Sequence, residues 1–89
     1  MAGTKTWKVD IFIGEHEERT QAEARLVVDD RVTVSGRGTA RLNPADRDVP
    51  EIGDELATAR ALSDLAHRLL DLAAEDIDDA THAPGLLPR

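Results

Sequence analysis

The residues able to do chemistry are few and poorly spaced for it. Glu15-His16-Glu17-Glu18 sets three carboxylates around one imidazole. A zinc protease needs a second histidine one helical turn away, and the sequence does not supply it. The cluster reads as a solvated loop. Glu75, Asp76, Asp78 and Asp79 make a denser acidic run. A calcium loop wants acids at fixed alternating positions, a central glycine and a closing bidentate glutamate. The run lacks that order and reads as a solvated face. His67 stands beside an apolar stripe, and His82 near the tail. Gly36-Arg37-Gly38 lies inside a strand pattern and precedes no helix, so it is no phosphate loop. No serine, histidine and acid form a nucleophile elbow. The absence of cysteine removes thiolate chemistry, disulfides and cysteine–zinc sites. These residues imply a protein that is not an enzyme and holds no cofactor, metal or small-molecule substrate.

The more productive residues share a strand face. In a strand, side chains alternate between two sides. Lys8, Phe12, Arg25, Arg37 and Arg41 then project from one face of a sheet, with Val27 among them. A basic, partly apolar face of this kind is a candidate surface for RNA or for a second subunit. Asp10, Glu23 and Asp29 dilute its positive charge.

Three strands must present that face. From Thr6 to Gly14 the residues alternate, with Trp7, Val9, Ile11 and Ile13 on one side and Lys8, Asp10 and Phe12 on the other. Residues 15–21 read as a polar connection. Ala22, Ala24, Leu26 and Val28 define the inner side of a second strand. Asp29, Asp30 and Arg31 turn it back as a hairpin. Val32, Val34, Gly36, Gly38, Ala40 and Leu42 share one side of the third strand. Gly36 and Gly38 suggest a bulge there or a close approach of the helix backbone.

A long helix follows. Asn43 and Val49 each precede proline, which pushes them towards extended backbone. Residues 43–49 therefore read as an irregular loop. Pro50 suits a first helical position, with Gly53 as the competing cap. Glu51, Asp54 and Glu55 suit the positive end of the helix dipole. Ile52, Leu56, Ala59, Leu62, Ala66, Leu69 and Ala73 recur at helical spacing, widened by Leu65 and Leu70, and predict the face pressed on the sheet. Asp64 and Arg68 are spaced for an ion pair. Beyond Ala73 the apolar content drops, and the pattern predicts fraying or a short separate turn over 75–80. The fold expected is α+β: a three-stranded antiparallel sheet with one long helix on one face, in the order βββα.

The 89 residues make a single domain, ordered over about residues 6–80 with a loose C-terminal tail. One Trp, one Phe and no Tyr leave the packing to aliphatics. The N-terminus lacks the apolar run of a signal peptide, and no stretch has transmembrane length, so the sequence reads as cytoplasmic. A net charge of −7 favours solubility and argues against polyphosphate partners in general.

The run RLNPADRDVPEIGDELATARALSDL from Arg41 to Leu65, with Trp7, Val9, Asp10, Glu15, His16 and Glu17, is similar to a family of short uncharacterised actinobacterial proteins. The resemblance covers most of residues 6–83. It implies a double-stranded-RNA-binding-domain-like fold and a stress- or dormancy-linked role. One member of that family is likened to ribosome hibernation-promoting factors and forms a dimer. Where double-stranded-RNA-binding domains hold a lysine cluster at the helix start, this sequence has Glu51, Asp54 and Glu55. RNA contact is therefore expected to be weak and salt-sensitive. A homodimer is expected as well, because three strands leave two unpaired edges. Its contact is expected edge to edge or, by preference, through the outer faces around Phe12. Leu62 is expected in the core.

Overall fold

The computed structural model describes residues 3–41 and 49–82. The order is βββα: β1 (Lys8–His16), β2 (Arg19–Val28), β3 (Arg31–Arg41) and α1 (Pro50–His82). The strands form one antiparallel sheet in the order β1-β2-β3. The architecture expected from the alternation and the helical stripe is the one observed.

The first hairpin is tighter than its sequence suggests. Residues 15–21 are no polar connection; β1 runs on to His16, β2 begins at Arg19, and only Glu17 and Glu18 turn. Both take positive φ, 51° and 61°, as do Asp29 and Asp30 at the second hairpin, 52° and 64°. Two successive residues in the left-handed region make the primed turn whose twist matches the strands. Aspartate tolerates that region, but a Glu-Glu pair carries none of the usual Asn-Gly signal. The second correction lies in β3. A register shift between Leu26 and Val27 leaves Thr33 without an opposite residue and pairs Val32 with Val27. One extra residue flips the side, so Val32 belongs to the outer face.

The sheet's inner side is lined by small residues. Ala22, Ala24, Leu26 and Ala40 are buried against Ala57, Ala61 and Leu65. Gly36 and Gly38 lie directly under the helix. A Cβ at Gly36 would run into the Leu65 amide nitrogen and the Ala61 carbonyl oxygen, and one at Gly38 into the Ala57 carbonyl oxygen. Of the two reasons a glycine pair could stand in β3, close approach of the helix backbone is the one observed.

That approach sets which helix face goes down. The buried helix residues are Gly53, Ala57, Ala61 and Leu65, one every four positions. The apolar stripe read from the sequence is displaced from the core. Leu56 and Leu62 are 42% and 41% exposed, and Ala59, Ala66, Leu70 and Ala73 are exposed too. Small side chains let the helix come close; leucines at the same place would hold it off. The helix is also off-centre: it packs on β3 and β2 and scarcely touches β1.

The far side of the helix clamps the outer edge of β3. The Arg37 amide donates to Asp64 Oδ2 at 2.9 Å, and Arg60 Nη1 donates to the Thr39 carbonyl at 2.8 Å. Asp64 also accepts from Arg68 Nε at 3.0 Å, the ion pair expected from the spacing. Hydrogen bonding from the Arg37 amide, then from Arg68, holds the Asp64 carboxyl below its ordinary pKa.

The helix is continuous from Pro50 to His82, with no break near Ala74 and no separate turn over 75–80. Its 33 residues span about 50 Å, against about 36 Å for the longest strand. Leu72 is half-buried and residues 73–81 are all exposed. The drop in apolar content after Ala73 marks where the helix leaves the sheet, not where it ends. Leu42, expected at the end of the third strand, residues 43–48 of the expected loop, and residues 83–89 lie outside the described residues.

Candidate interaction surfaces

The outer sheet face is a ladder of cross-strand rows. Reading β1, β2, β3, they are Lys8–Val27–Val32, Asp10–Arg25–Ser35, Phe12–Glu23–Arg37, Gly14–Gln21–Thr39 and His16–Arg19–Arg41. Each row is about 7 Å from the next, so Lys8 and Arg41 stand about 27 Å apart. The structure brings Phe12, Arg25 and Arg37 together and leaves Lys8 and Arg41 at opposite ends. Arg19, Gln21 and Thr39 join the face. Arg19 was legible only once β2 was known to start there.

Glu23 organises the middle of the ladder. Arg25 Nη2 lies 2.8 Å from Glu23 Oε1, and Arg37 Nε lies 3.9 Å from Oε2. The hydrogen bond from Arg25 leads in holding the Glu23 carboxyl below its ordinary pKa. The Arg25 guanidinium sits over the Phe12 ring, 4.3 Å from its centroid. Its charge is thus shared between a carboxylate and an aromatic face. Arg37 is less engaged, its side chain 82% exposed. Beside it the bare backbone of Gly14 opens a shallow hollow of about 450 Å³, lined by Phe12, Gln21, Glu23, Arg37 and Thr39.

Charge is segregated between the layers. The helix carries nine carboxylates against two arginines, and so accounts for the whole net charge of −7. The outer strand face carries Lys8, Arg19, Arg25, Arg37 and Arg41 against Asp10 and Glu23. The acidic layer lies on the opposite side of the sheet from the basic face, with Asp64 reaching the β3 edge to accept from the Arg37 amide. The net charge of the chain is a poor guide to what this face attracts.

The second surface lies between β1 and the helix, on the inner side. Because α1 stands over β2 and β3, the inward side of β1 has little cover: Val9 is 42% exposed and Ile13 47%, Trp7 just before the strand is 55%, and Ile11 is half-buried. A trough of about 430 Å³ runs there, lined by Ile13, Thr58, Ala59 and Leu62, with Asp54 and Glu55 at one end. Of its walls, Ala59 and Leu62 belong to the helix face expected against the sheet, and Ile13 to the apolar side of the first strand.

The remaining candidates assemble no site. His67 Nδ1 lies 2.8 Å from the Ser63 carbonyl, which only accepts, so the ring donates within its own helix. His16 and Glu17 face each other at 3.7 Å on a fully solvated turn. Among the described residues, no group of three or more histidines and carboxylates converges as a metal site. Among them, too, no helix is long and apolar enough to cross a membrane.

Comparison with known proteins gives the chain clear relatives. A family model described as Rv2632c-like matches residues 5–85. An uncharacterised protein of Mycobacterium tuberculosis strain CDC 1551 / Oshkosh is 58% identical over 81 residues, covering 91% of this chain and 85% of its own length. Uncharacterised protein Rv2632c of the H37Rv strain is 56% identical over 80 residues, covering 90% of this chain and 85% of its own. The crystal structure of Rv2632c superposes with a TM-score of 0.81 at 53% identity, covering 93% of this chain and 98% of that one.

Proposed function

The chain belongs to the Rv2632c-like family of uncharacterised mycobacterial proteins, and from that footing we propose that it is a small non-enzymatic, stress- or dormancy-associated protein that contacts RNA, with the ribosome as its partner, through the outer face of its sheet. The observation that carries this reading is the segregation of charge. A polyanion approaching the outer face meets Arg37, Arg41, Arg19 and Lys8, with the acidic helix on the opposite side of the sheet and its Asp64 reaching the β3 edge. Phe12, held flat under Arg25, offers a ring on which an unpaired base can stack. With only a few cations, binding is weak, and log affinity falls against log salt by about 0.7–0.9 for each phosphate contact.

The test is capture of the full chain's partners from a stationary-phase mycobacterial lysate, with and without RNase. Recovery of ribosomal RNA that is lost on RNase treatment, and lost in an Arg37→Glu, Arg41→Glu variant, supports the reading. A partner set unchanged by RNase overturns it. The second reading is a homodimeric protein-binding module with no RNA contact, and the uncovered apolar trough favours it.

A further inference from the structure

We propose that the hollow over Gly14 seats one unpaired guanine base of single-stranded RNA, stacked on Phe12 and read by the Glu23 carboxylate. This rests on the RNA reading above and deepens it, naming the base that the outer face selects. Gly14 itself points to the seat. Glycine weakens a strand, and inside one it marks a bulge, a tight bend or a place where something else comes close. The helix accounts for Gly36 and Gly38, but it does not account for Gly14. The pairing of β1 with β2 is regular from Lys8 opposite Val27 to His16 opposite Arg19, so no bulge calls for it. Its backbone stays out of the left-handed region, and a Cβ there would meet nothing within 4 Å. Neither the conformation of β1 nor the packing of the chain requires a bare position. The room it leaves lies on the outside of the sheet.

The walls of the hollow suit a flat, hydrogen-bonding ligand. Arg25 lies in the row before Phe12 and Gly14 in the row after it. The ring therefore stands between the guanidinium, 4.3 Å from its centroid, and the open space. A base entering over Gly14 stacks on the side that Arg25 leaves bare. Glu23 stands beside it. The donors that Glu23 already has, Arg25 and the Ser35 hydroxyl, both come from the row away from Gly14. Arg37 Nε, at 3.9 Å from Oε2, is beyond hydrogen-bond length. A carboxylate has about four lone-pair sites, so those turned towards the hollow are left to fill. Bonding from Arg25 keeps this carboxyl ionised, and an ionised carboxyl only accepts. That condition chooses the base. Guanine presents two adjacent donors, N1–H and N2–H, on its Watson–Crick edge, and one carboxylate takes both. Adenine and cytosine put a lone pair at the middle of that edge, against a carboxylate oxygen. Uracil has a single donor between two carbonyl oxygens. Arg37, its side chain 82% exposed, and the Gln21 amide supply donors for guanine O6 and N7. Arg19 and Arg41 stand one row further, about 7 Å on, to meet flanking phosphates. The hollow, about 450 Å³, is the size of a small-ligand site and shallow enough to leave the sugar in solvent.

The experiment is fluorescence anisotropy of end-labelled RNA pentanucleotides UUGUU, UUAUU and UUUUU on the full chain at low salt, with variants checked for folding by circular dichroism. UUGUU should bind about tenfold tighter or more than either of the others, the discrimination of one good bidentate pair. Gly14→Val puts its side chain into open space, so the fold stays intact, and it should lower the affinity for UUGUU to that for UUUUU. Glu23→Gln, which sets an amide donor beside its acceptor, should lose the preference for UUGUU over UUAUU. Guanosine monophosphate lacks the flanking phosphates and should displace UUGUU only at much higher concentration than unlabelled UUGUU does. Displacement at equal concentration would assign the seat to a free nucleotide and overturn its place on a strand. Equal, salt-sensitive binding of the three pentanucleotides keeps the RNA reading and overturns this seat, as does a guanine preference that survives Gly14→Val. Failure of all three to bind overturns both the seat and RNA contact through this face.

Discussion

Adding one methyl group at Gly36 should cost more than most core truncations would. A Cβ built there lies 2.6 Å from the Ala61 carbonyl oxygen and 2.7 Å from the Leu65 Cα. Ordinary contact begins near 3.4 Å, and both obstacles are backbone, so no rotamer change relieves them. The Leu65 amide nitrogen is nearer still, so the helix must lift by about an ångström or more, or β3 must bow. A gap of that size forfeits a quarter to a half of each van der Waals contact it opens. The loss falls on the layer of Ala22, Ala24, Leu26, Ala40, Ala57, Ala61 and Leu65. Overpacking by one methylene typically costs 1–3 kcal/mol, and a rigid obstacle on both sides puts Gly36→Ala at about 2–4 kcal/mol. An 89-residue domain has only about 4–13 kcal/mol to lose. With a urea slope of about 1 kcal/mol per molar, the unfolding midpoint should fall by about 2–4 M. Gly14→Ala is the control, because nothing lies within 4 Å of its Cβ. It should be neutral or stabilising by about 0.4–1 kcal/mol. A Gly36→Ala midpoint matching the wild type would show that the helix does not ride on the glycine backbone.

Three further outcomes follow from the contacts. Asp64 and Glu23 have depressed pKa values, so the stability they contribute is present above the ordinary carboxylate range and lost as pH falls through the depressed values. Asp64→Asn should therefore flatten the acid limb of thermal stability between pH 7 and pH 3, and an unchanged limb would remove Asp64 from the account. Leu62, expected in the core, is 41% exposed, so Leu62→Asp should leave a folded domain with a loss of about 1 kcal/mol or less, read by urea denaturation. Complete unfolding would place Leu62 in the core after all. Arg37→Ala should lower the slope of log affinity for RNA against log salt by about 1, since one phosphate contact goes; a slope that does not move would take Arg37 off the RNA path.

The βββα order was legible because period two and period 3.6 are written plainly in this chain, and the face assignments of β1 and β2 follow from alternation alone. What the alternation could not show is the Val32 flip, which a single unpaired residue at Thr33 produces. The first hairpin was hidden because Glu17-Glu18 occupies a backbone region that glutamate seldom signals. The helix stripe misled for a more general reason. Periodicity finds the most apolar face, and the fold used the smallest one, because Gly36 and Gly38 reward close approach over side-chain size. Of the candidate surface residues, Phe12, Arg25 and Arg37 converge as the pattern implied. Lys8 and Arg41 do not, since sharing a face says nothing about sharing a row.

The clamp on β3 bears on how many chains can ever join by their strands. Polymerisation into cross-β stacks needs every unit to accept one neighbour and offer a place to the next. Asp64 and Arg60 occupy the amide of Arg37 and the carbonyl of Thr39 midway along that side. Each chain is left with a strand valence of one, at β1. A unit of valence one terminates whatever it starts: two can meet, and a third finds nowhere to attach. Cutting the clamp, as in an Asp64→Ala, Arg60→Ala pair, would raise the valence to two and turn a chain-stopping unit into a monomer for growth.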